Sequence, residues 1–328
     1  MDDGTTSIAA PGPSSSTVLS VGCVFRPQFP PETLAAAARA ADNAGLHELW
    51  LWEDCFLNGG VSAAAIALAN SERLRVGLGV LPVPMRNVAV TAMEIATLDR
   101  MFPGRLRVGI GHGVQEWMAQ IGERVASPMT LLREYTSVLA ALLRGETVSH
   151  DGRYVTVADV RLDWPPAPDV ELLLAATGPR TLELSGELGS GTVITGGTSP
   201  DGLRQAVHHI RRGMAKRAQP ARHSTVVYVI CAVDPDAAGQ IGDELAYWKL
   251  DGGHDVAAYG TPAEIAAAAT RWIDAGADTI VFQPSGSVDI EEFVEIIGTR
   301  VQPLLTGQGR PPATGLSGSS APAESRSP

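Results

Sequence analysis

Between Leu74 and Trp117 the chain reads LRVGLGVLPVPMRNVAVTAMEIATLDRMFPGRLRVGIGHGVQEW, and no other stretch restricts the fold so tightly. Leu74 to Val80 is a short apolar run rich in Val and Leu, the pattern of a strand buried on both faces. From Val88 to Met101 the residues Val90, Met93, Ile95, Ala96, Leu98 and Met101 recur at close to helical spacing, which packs a helix back onto that strand. Phe102-Pro103-Gly104 closes the helix, since Pro cannot continue it and Gly supplies the turn. Leu106 to Ile110 is the next strand. A strand, a crossover helix and a second strand make one βαβ unit. Both strands run out into glycine-rich segments on the same side, where barrels of such units carry their chemistry.

The alternation continues along the chain. Leu19 to Phe25 reads as a strand, and Pro31 to Ala44 as an Ala-rich helix with Pro near its start and Gly45 after its end. Leu49 to Trp52 is a strand, and Val61 to Ala69 and Thr130 to Leu143 are helices. Val148 to Val157 reads as a hairpin around Asp151-Gly152. Further strands are expected at Glu171–Ala175, Thr192–Thr195, Thr225–Val233 and Thr279–Phe282. Helices fill the gaps at Pro179–Leu188, Pro200–Arg217, Asp236–Trp248 with Pro262–Ala275, and Ile290–Ile297. Eight strands alternating with helices predict an α/β fold, a (β/α)8 TIM barrel with insertions after strands four and seven. An open, doubly wound sheet is the alternative. The barrel domain spans residues 18–304. Residues 1–17 and 305–328 are small, polar and rich in Pro, Gly and Ser, so both are expected to be flexible tails.

Composition removes several function classes. A formal net charge of −11 argues against a nucleic-acid partner, which would want a basic face, and suits a cytoplasmic protein. No run of eighteen apolar residues is available to span a membrane, and the acidic, polar N-terminus carries no secretory signal. The three cysteines, Cys23, Cys55 and Cys231, lie far apart without a CxxC, so neither a disulfide framework nor a metal site is expected. The lysines, Lys216 and Lys249, fall in helices or just past their ends, which excludes a strand-end Schiff-base lysine. His-x-His near the first strand and a GxSxG elbow are both missing. His208, His209 and His223 read as surface residues.

Strand-end residues of a barrel point at the substrate. After strand two comes WEDCFLNGG, which makes Glu53, Asp54 and Cys55 catalytic candidates, although Cys55 could equally pack as a small apolar residue. After strand four, glycines flank His112, an imidazole that titrates near neutrality and can move a proton. Strand five leads into Ala176-Thr177-Gly178-Pro179-Arg180. There the exposed N–H groups and dipole of a helix start form an anion site, Gly178 lets a phosphate approach and Arg180 adds charge. Gly196-Gly197 ends strand six in a similar way. Trp117, Met118 and Trp248 point to an apolar substrate, covered by the segments Glu116–Thr130 and Leu250–Tyr259.

The Gly79-Val80 step, the Arg86-Asn87 turn and the text EIATLDRMFPGRLRVGIGHG resemble the luciferase-like flavin-dependent oxidoreductases, TIM barrels that bind FMN or the deazaflavin coenzyme F420. The resemblance runs from Val18 to Leu304. It implies a non-proline cis peptide at Gly79-Val80 behind the flavin ring and a flavin contact from Gln115. Arg86 matches the turn that enters the next helix, where it either reaches an anionic cofactor or stands as a solvated turn arginine. The resemblance also implies a cofactor phosphate bound by Ala176, Thr177, Gly178, Pro179, Arg180, Gly196 and Gly197. The family commonly carries an acid followed by His where this chain has Asp54-Cys55, and some members carry Glu where His112 stands. The Trp-acid opening and the AATGPR segment look closer to the F420 branch. The implied activity is hydride transfer between the deazaflavin and a small organic substrate, by a homodimer. An FMN-dependent monooxygenase and a non-catalytic flavin-binding barrel are the alternatives.

Overall fold

The computed structural model describes residues 19–166, 170–250, 253–286 and 288–307. The expected tails lie outside the described residues, except that a helix at Gln302–Thr306 runs into the second of them. Eleven strands are present among the described residues: β1 (Ser20–Phe25), β2 (Glu48–Leu51), β3 (Arg75–Pro82), β4 (Leu106–Gly111), β5 (Val148–Asp151), β6 (Thr156–Val160), β7 (Glu171–Ala175), β8 (Gly191–Ile194), β9 (Ser224–Val233), β10 (Ala257–Gly260) and β11 (Thr279–Pro284).

Eight of these close into a parallel barrel in the order β1-β2-β3-β4-β7-β8-β9-β11, with β11 returning to β1. The fold is a (β/α)8 TIM barrel. The insertion after the fourth barrel strand holds the antiparallel β5–β6 hairpin. Its turn is pinned by the Glu134 carboxylate, which accepts the backbone N–H groups of Arg153, Tyr154 and Val155 at 3.0, 2.9 and 3.1 Å. The insertion after the seventh contains β10, absent from the sequence reading, which pairs in parallel with the upper half of β9. Its sequence, Ala-Ala-Tyr-Gly, is too short and too weak in β-branched residues to announce a strand.

Side chains fill the barrel interior, with Val24, Trp50, Leu173, Val193, Val226, Tyr228 and Val281 forming one packed cluster. The two large rings explain the glycines of β3. A Cβ on Gly77 would collide with the Trp50 indole, and one on Gly79 with the Tyr228 hydroxyl. Outside the barrel, Asn87 caps the helix Val88–Met101 by accepting from the Ala89 N–H at 2.9 Å. That helix buries Val88, Thr91, Ala92, Ile95, Ala96 and Leu98. Val90, Met93 and Met101, expected on the buried stripe, are 49, 58 and 66% exposed. The helix is apolar on two faces, and spacing alone could not choose between them.

The lower, N-terminal end of the barrel is closed by an ionic plug. Glu48 is fully buried and accepts from Ser20 Oγ at 2.7 Å, Trp50 Nε1 at 2.8 Å and Arg107 Nη1 at 3.0 Å, with Arg75 also paired to it. Arg107 further donates to Glu171 at 2.6 Å, Thr279 at 3.1 Å and Ser224 at 3.1 Å. Nearby, His223 is not the surface residue expected. Its Nε2 lies 2.7 Å from Thr192 Oγ1, and burial together with Arg217 pushes the imidazole down to about 4. Below the plug lies an open, charged cavity of about 880 Å³ bordered by Arg73, Arg75, Arg107, Asp42 and Asp278. Barrels of this kind carry their chemistry at the other end, where the C-terminal ends of the strands open.

Candidate active site

A cavity of about 440 Å³ opens at that upper end. Its base is a deformation of β3. The register between β3 and β4 shifts between Leu78 and Leu81, and the Gly79-Val80 peptide is cis. Tyr228 Oη donates to the Gly79 carbonyl at 3.2 Å, tying the step to β9. The Val80 side chain lies over β4, where a Cβ on Gly109 or Gly111 would come within 2.6 and 3.0 Å of its methyl groups. Glycine at both positions therefore lets Val80 lie flat against β4 and form a smooth apolar floor.

One wall is aromatic. Trp52 stacks on Tyr228 at 5.8 Å and 26°, and meets Trp248 edge-on at 6.3 Å. Trp248 is held in place by its Nε1 donating to Glu244 Oε1 at 2.6 Å. Asp54 borders the cavity next to this wall, and burial pushes its carboxyl up to about 6, with Arg26 pulling the other way. His112 lines the opposite side, its Nε2 3.5 Å from Thr181 Oγ1. Burial lowers the imidazole below its ordinary value, against the opposing Pro128 backbone, so it is neutral at pH 7. A neutral imidazole has one donor and one acceptor nitrogen, so it can take a proton as a base, whereas giving one requires the protonated ring.

Several sequence candidates lie elsewhere. Arg86 is not free to meet an anionic cofactor: its Nε and Nη2 donate to Glu53 at 2.8 and 2.6 Å, and its Nη1 to Glu94 at 2.7 Å. Glu53 in turn is occupied by that pair and by the Gly60 N–H. Cys55 turns away from the cavity, buried with its Sγ 3.5 Å from Met85 Sδ. Burial and the neighbouring Asp54 and Glu53 carboxylates raise its thiol, so it stays protonated and acts as a packing residue. Gln115 does not line the cavity either. Its amide donates to the His112 and Gly113 carbonyls at 3.2 and 3.4 Å, bracing the loop that carries His112. Met118 is wholly buried beneath that loop, while Trp117 lines the cavity.

At the far end Ala176, Thr177, Thr195 and Gly196 line the cavity, and Gly178, Pro179, Arg180 and Gly197 stand just outside it. Gly178 is the N-cap of the helix Pro179–Leu188 and provides no side-chain cap, and a Cβ built on it would meet nothing within 4 Å. The helices beginning at Val88, Pro128, Pro200 and Pro262 are capped by Asn87, Ser127, Ser199 and Thr261. The first turn after Gly178 thus carries no side-chain cap, and the space beside Gly178 leaves room for an anion to approach it.

The family model described as luciferase-like monooxygenase matches residues 7–251. The chain belongs to that family. Among curated relatives of this luciferase-like protein, it is 30% identical over 222 residues to 5,10-methylenetetrahydromethanopterin reductase of Methanolobus tindarius, covering 67% of each chain. It is 27% identical over 323 residues to the F420-dependent glucose-6-phosphate dehydrogenase of Kineococcus radiotolerans, covering 85% of this chain and 94% of the relative. Among solved structures, an F420-dependent secondary alcohol dehydrogenase in complex with an F420-acetone adduct superposes with a TM-score of 0.78 at 20% identity, covering 88% of this chain and 99% of that one. The oxygenating constituent of 3,6-diketocamphane monooxygenase from Pseudomonas putida, in complex with FMN, superposes with a TM-score of 0.70 at 15% identity, covering 88% and 98%.

Three lining residues of this luciferase-like site were missed in the sequence, Tyr228, Ile230 and Gln283, while Leu250 opens one of the segments expected to cover the pocket. Gln283 carried a signal, being a polar residue at a barrel strand's C-terminal end. Tyr228 and Ile230 sit inside the long apolar run of β9, where sequence alone does not say which alternate residues face inward.

Proposed function

We propose that this protein is a coenzyme F420-dependent oxidoreductase that moves a hydride between the deazaflavin and a small organic substrate. The observation that carries the reading is the cavity itself: a flat apolar floor at one end and an uncapped helix start at the other, the shape of a ring joined to a phosphate-bearing tail. Relatives named for F420 dependence, matched over most of their length, favour the deazaflavin over FMN. The ring would rest against Gly79-Val80, and the phosphate would be held by the backbone of Ala176-Thr177-Gly178 and the helix start at Pro179-Arg180, with Gly196-Gly197 opposite. When bound, the deazaflavin supplies the two-electron hydride chemistry. The chain's own residues orient and exclude water: Trp52 and Trp248 wall the site, His112 gives or takes the accompanying proton, and Asp54 holds a water or the substrate's polar atom. An FMN-dependent monooxygenase is the second reading, favoured by the structural likeness to FMN-binding folds.

We infer as well that the protein is a cytoplasmic homodimer. Ile66, Val90 and Met93 are 48, 49 and 58% exposed on the helices Gly60–Ala69 and Val88–Met101, an apolar surface that a second copy would cover. The acidic balance and three free, buried cysteines accord with a reducing compartment. Among the described residues no helix is long and apolar enough to cross a membrane.

Paired fluorescence titrations of the apo-protein with oxidised F420 and with FMN test the cofactor. Tight binding of the deazaflavin alone is expected. Preference for FMN moves the assignment to the monooxygenase reading, and binding of neither ends the flavin reading.

The electrostatics of Asp54 make a separate prediction. Its folded carboxyl, at about 6, holds a proton more tightly than the unfolded one, so stability falls as pH rises from about 4 to 6 and the cost is complete above that. Asp54→Asn is therefore expected to be more stable than wild type at pH 7.5 by up to about 3 kcal/mol, with the gain gone near pH 4. Urea midpoints at the two pH values read it. An equal effect at both would show that the carboxyl is not desolvated as described.

A further inference from the structure

We infer that the substrate of this site is an uncharged, largely apolar molecule, and that phosphorylated and carboxylated compounds are excluded for want of a counter-ion. The inference rests on the cofactor reading above. Among the described residues lining the cavity there is no Lys or Arg, while two carboxylates, Glu53 and Asp54, border it. Of the neighbouring cations, Lys249 is exposed between Trp248 and Leu250 but is not itself among the lining residues, and Arg86 and Arg26 are engaged. Arg86 is held by Glu53 and Glu94. Arg26 is buried, donates to Glu244 Oε1 at 2.8 Å and to the Pro284 carbonyl at 3.0 Å, and shares that carboxylate with Trp248 Nε1. Arg180 stands outside the cavity at the helix start assigned to the cofactor phosphate.

An anionic group entering this mouth would lose its water, meet no cation and approach the Asp54 carboxylate. A desolvated charge without a partner is strongly disfavoured, and a like charge nearby adds to the penalty. With the ring on the Val80 floor, the apolar lining residues available to a substrate include Trp52, Val114, Trp117, Trp248 and Leu250. Apolar and aromatic walls of this kind grip a flat or compact hydrocarbon body. Polar side chains among the lining residues, Asp54 and His112 with Thr181 and Gln283, suit a hydroxyl or carbonyl oxygen. Such a site would discriminate against a sugar phosphate, the substrate class named for one of its relatives.

The test compares cyclohexanone with cyclohexyl phosphate by calorimetry on protein loaded with oxidised F420, so that the cofactor's own phosphate site is filled. Loading is read first, by co-elution of the deazaflavin with the protein. Failure to load overturns the cofactor reading and, with it, this inference. On loaded protein, cyclohexyl phosphate is expected to bind at least about tenfold more weakly than the ketone. Equal or tighter binding of the phosphate ester, or no binding of the ketone, overturns the substrate class while leaving the cofactor reading intact. Val114→Lys supplies the missing cation at a 41% exposed position of the wall. It is expected to strengthen phosphate-ester binding by about tenfold while leaving deazaflavin retention unchanged. No gain in that variant would mean that charge is not what the site selects on.

Discussion

Arg107→Ala is expected to lower the unfolding free energy by about 3–5 kcal/mol, the cost of leaving a buried carboxylate without its principal partner. Arg107 is 4% exposed and Glu48 is fully buried. Burial alone would raise the Glu48 carboxyl, but Arg107 and Arg75, with hydrogen bonds from Ser20 and Trp50, outweigh it and hold the group below its ordinary value. That stabilisation is present above the unfolded carboxyl range and is lost as pH falls through the lower folded value. Removing Arg107 reverses the balance, since Arg75 is 40% exposed at its side chain and cannot replace a buried guanidinium. The deficit should therefore be largest near pH 7 and shrink toward pH 4, where Glu48 can take up a proton. Urea unfolding at the two pH values reads both the size and the sign. Glu48→Gln combined with Arg107→Met should recover much of the loss, because the plug is worth little net once both charges go. A single-variant loss under about 1 kcal/mol would show that the plug is not what seals the lower end. Deazaflavin binding to the folded variant should be unaffected, as the plug and the cavity occupy opposite ends of the barrel.

The plug also marks where sequence reading ran out. The alternation of strands and helices was legible because parallel strands buried on both faces are continuous apolar runs, and the residues of β1, β2, β4 and β9 announce them. Glu48 stands just before one such run and Arg107 within another, and a charge beside an apolar run says nothing about which distant charge will meet it. The candidate site divides in the same way. Asp54 and His112 were found because they end strands, a local property. The pairing of Arg86 was not readable because it depends on Glu53 and Glu94, one of them thirty-three residues away in the chain. Cys55 and Gln115 stand at strand and loop ends as expected, but side-chain direction sends one into packing against Met85 and the other back onto its own loop. Position along a strand was readable, whereas rotamer and long-range pairing were not.

His112→Ala is expected to cut turnover by about 10²–10⁴-fold while leaving deazaflavin affinity unchanged, the range for removing a positioned general acid or base. The residue is placed by its own strand end and held by a loop that Gln115 braces, so its position does not depend on the cofactor. Its lowered imidazole is neutral at pH 7 and carries both a donor and an acceptor nitrogen, one of them beside the Thr181 hydroxyl. In the oxidising direction a neutral ring can accept the substrate's hydroxyl proton, and activity should fall on the acid side as the ring protonates, below the ordinary histidine range. In the reducing direction only the protonated ring has a proton to spare beyond neutrality, so the same inflection should bound activity from above. The two directions thus predict opposite pH limbs from one group. Turnover of an uncharged alcohol and of its ketone, measured across pH with wild type and His112→Ala, reads both limbs and the loss of each. A variant that keeps both limbs would transfer the proton step to Asp54, whose carboxyl at about 6 is the other group in the cavity able to exchange a proton near neutrality. A variant that loses the cofactor along with turnover would make His112 a binding residue instead. If deazaflavin is retained and the limbs vanish, the imidazole moves the proton that accompanies the hydride.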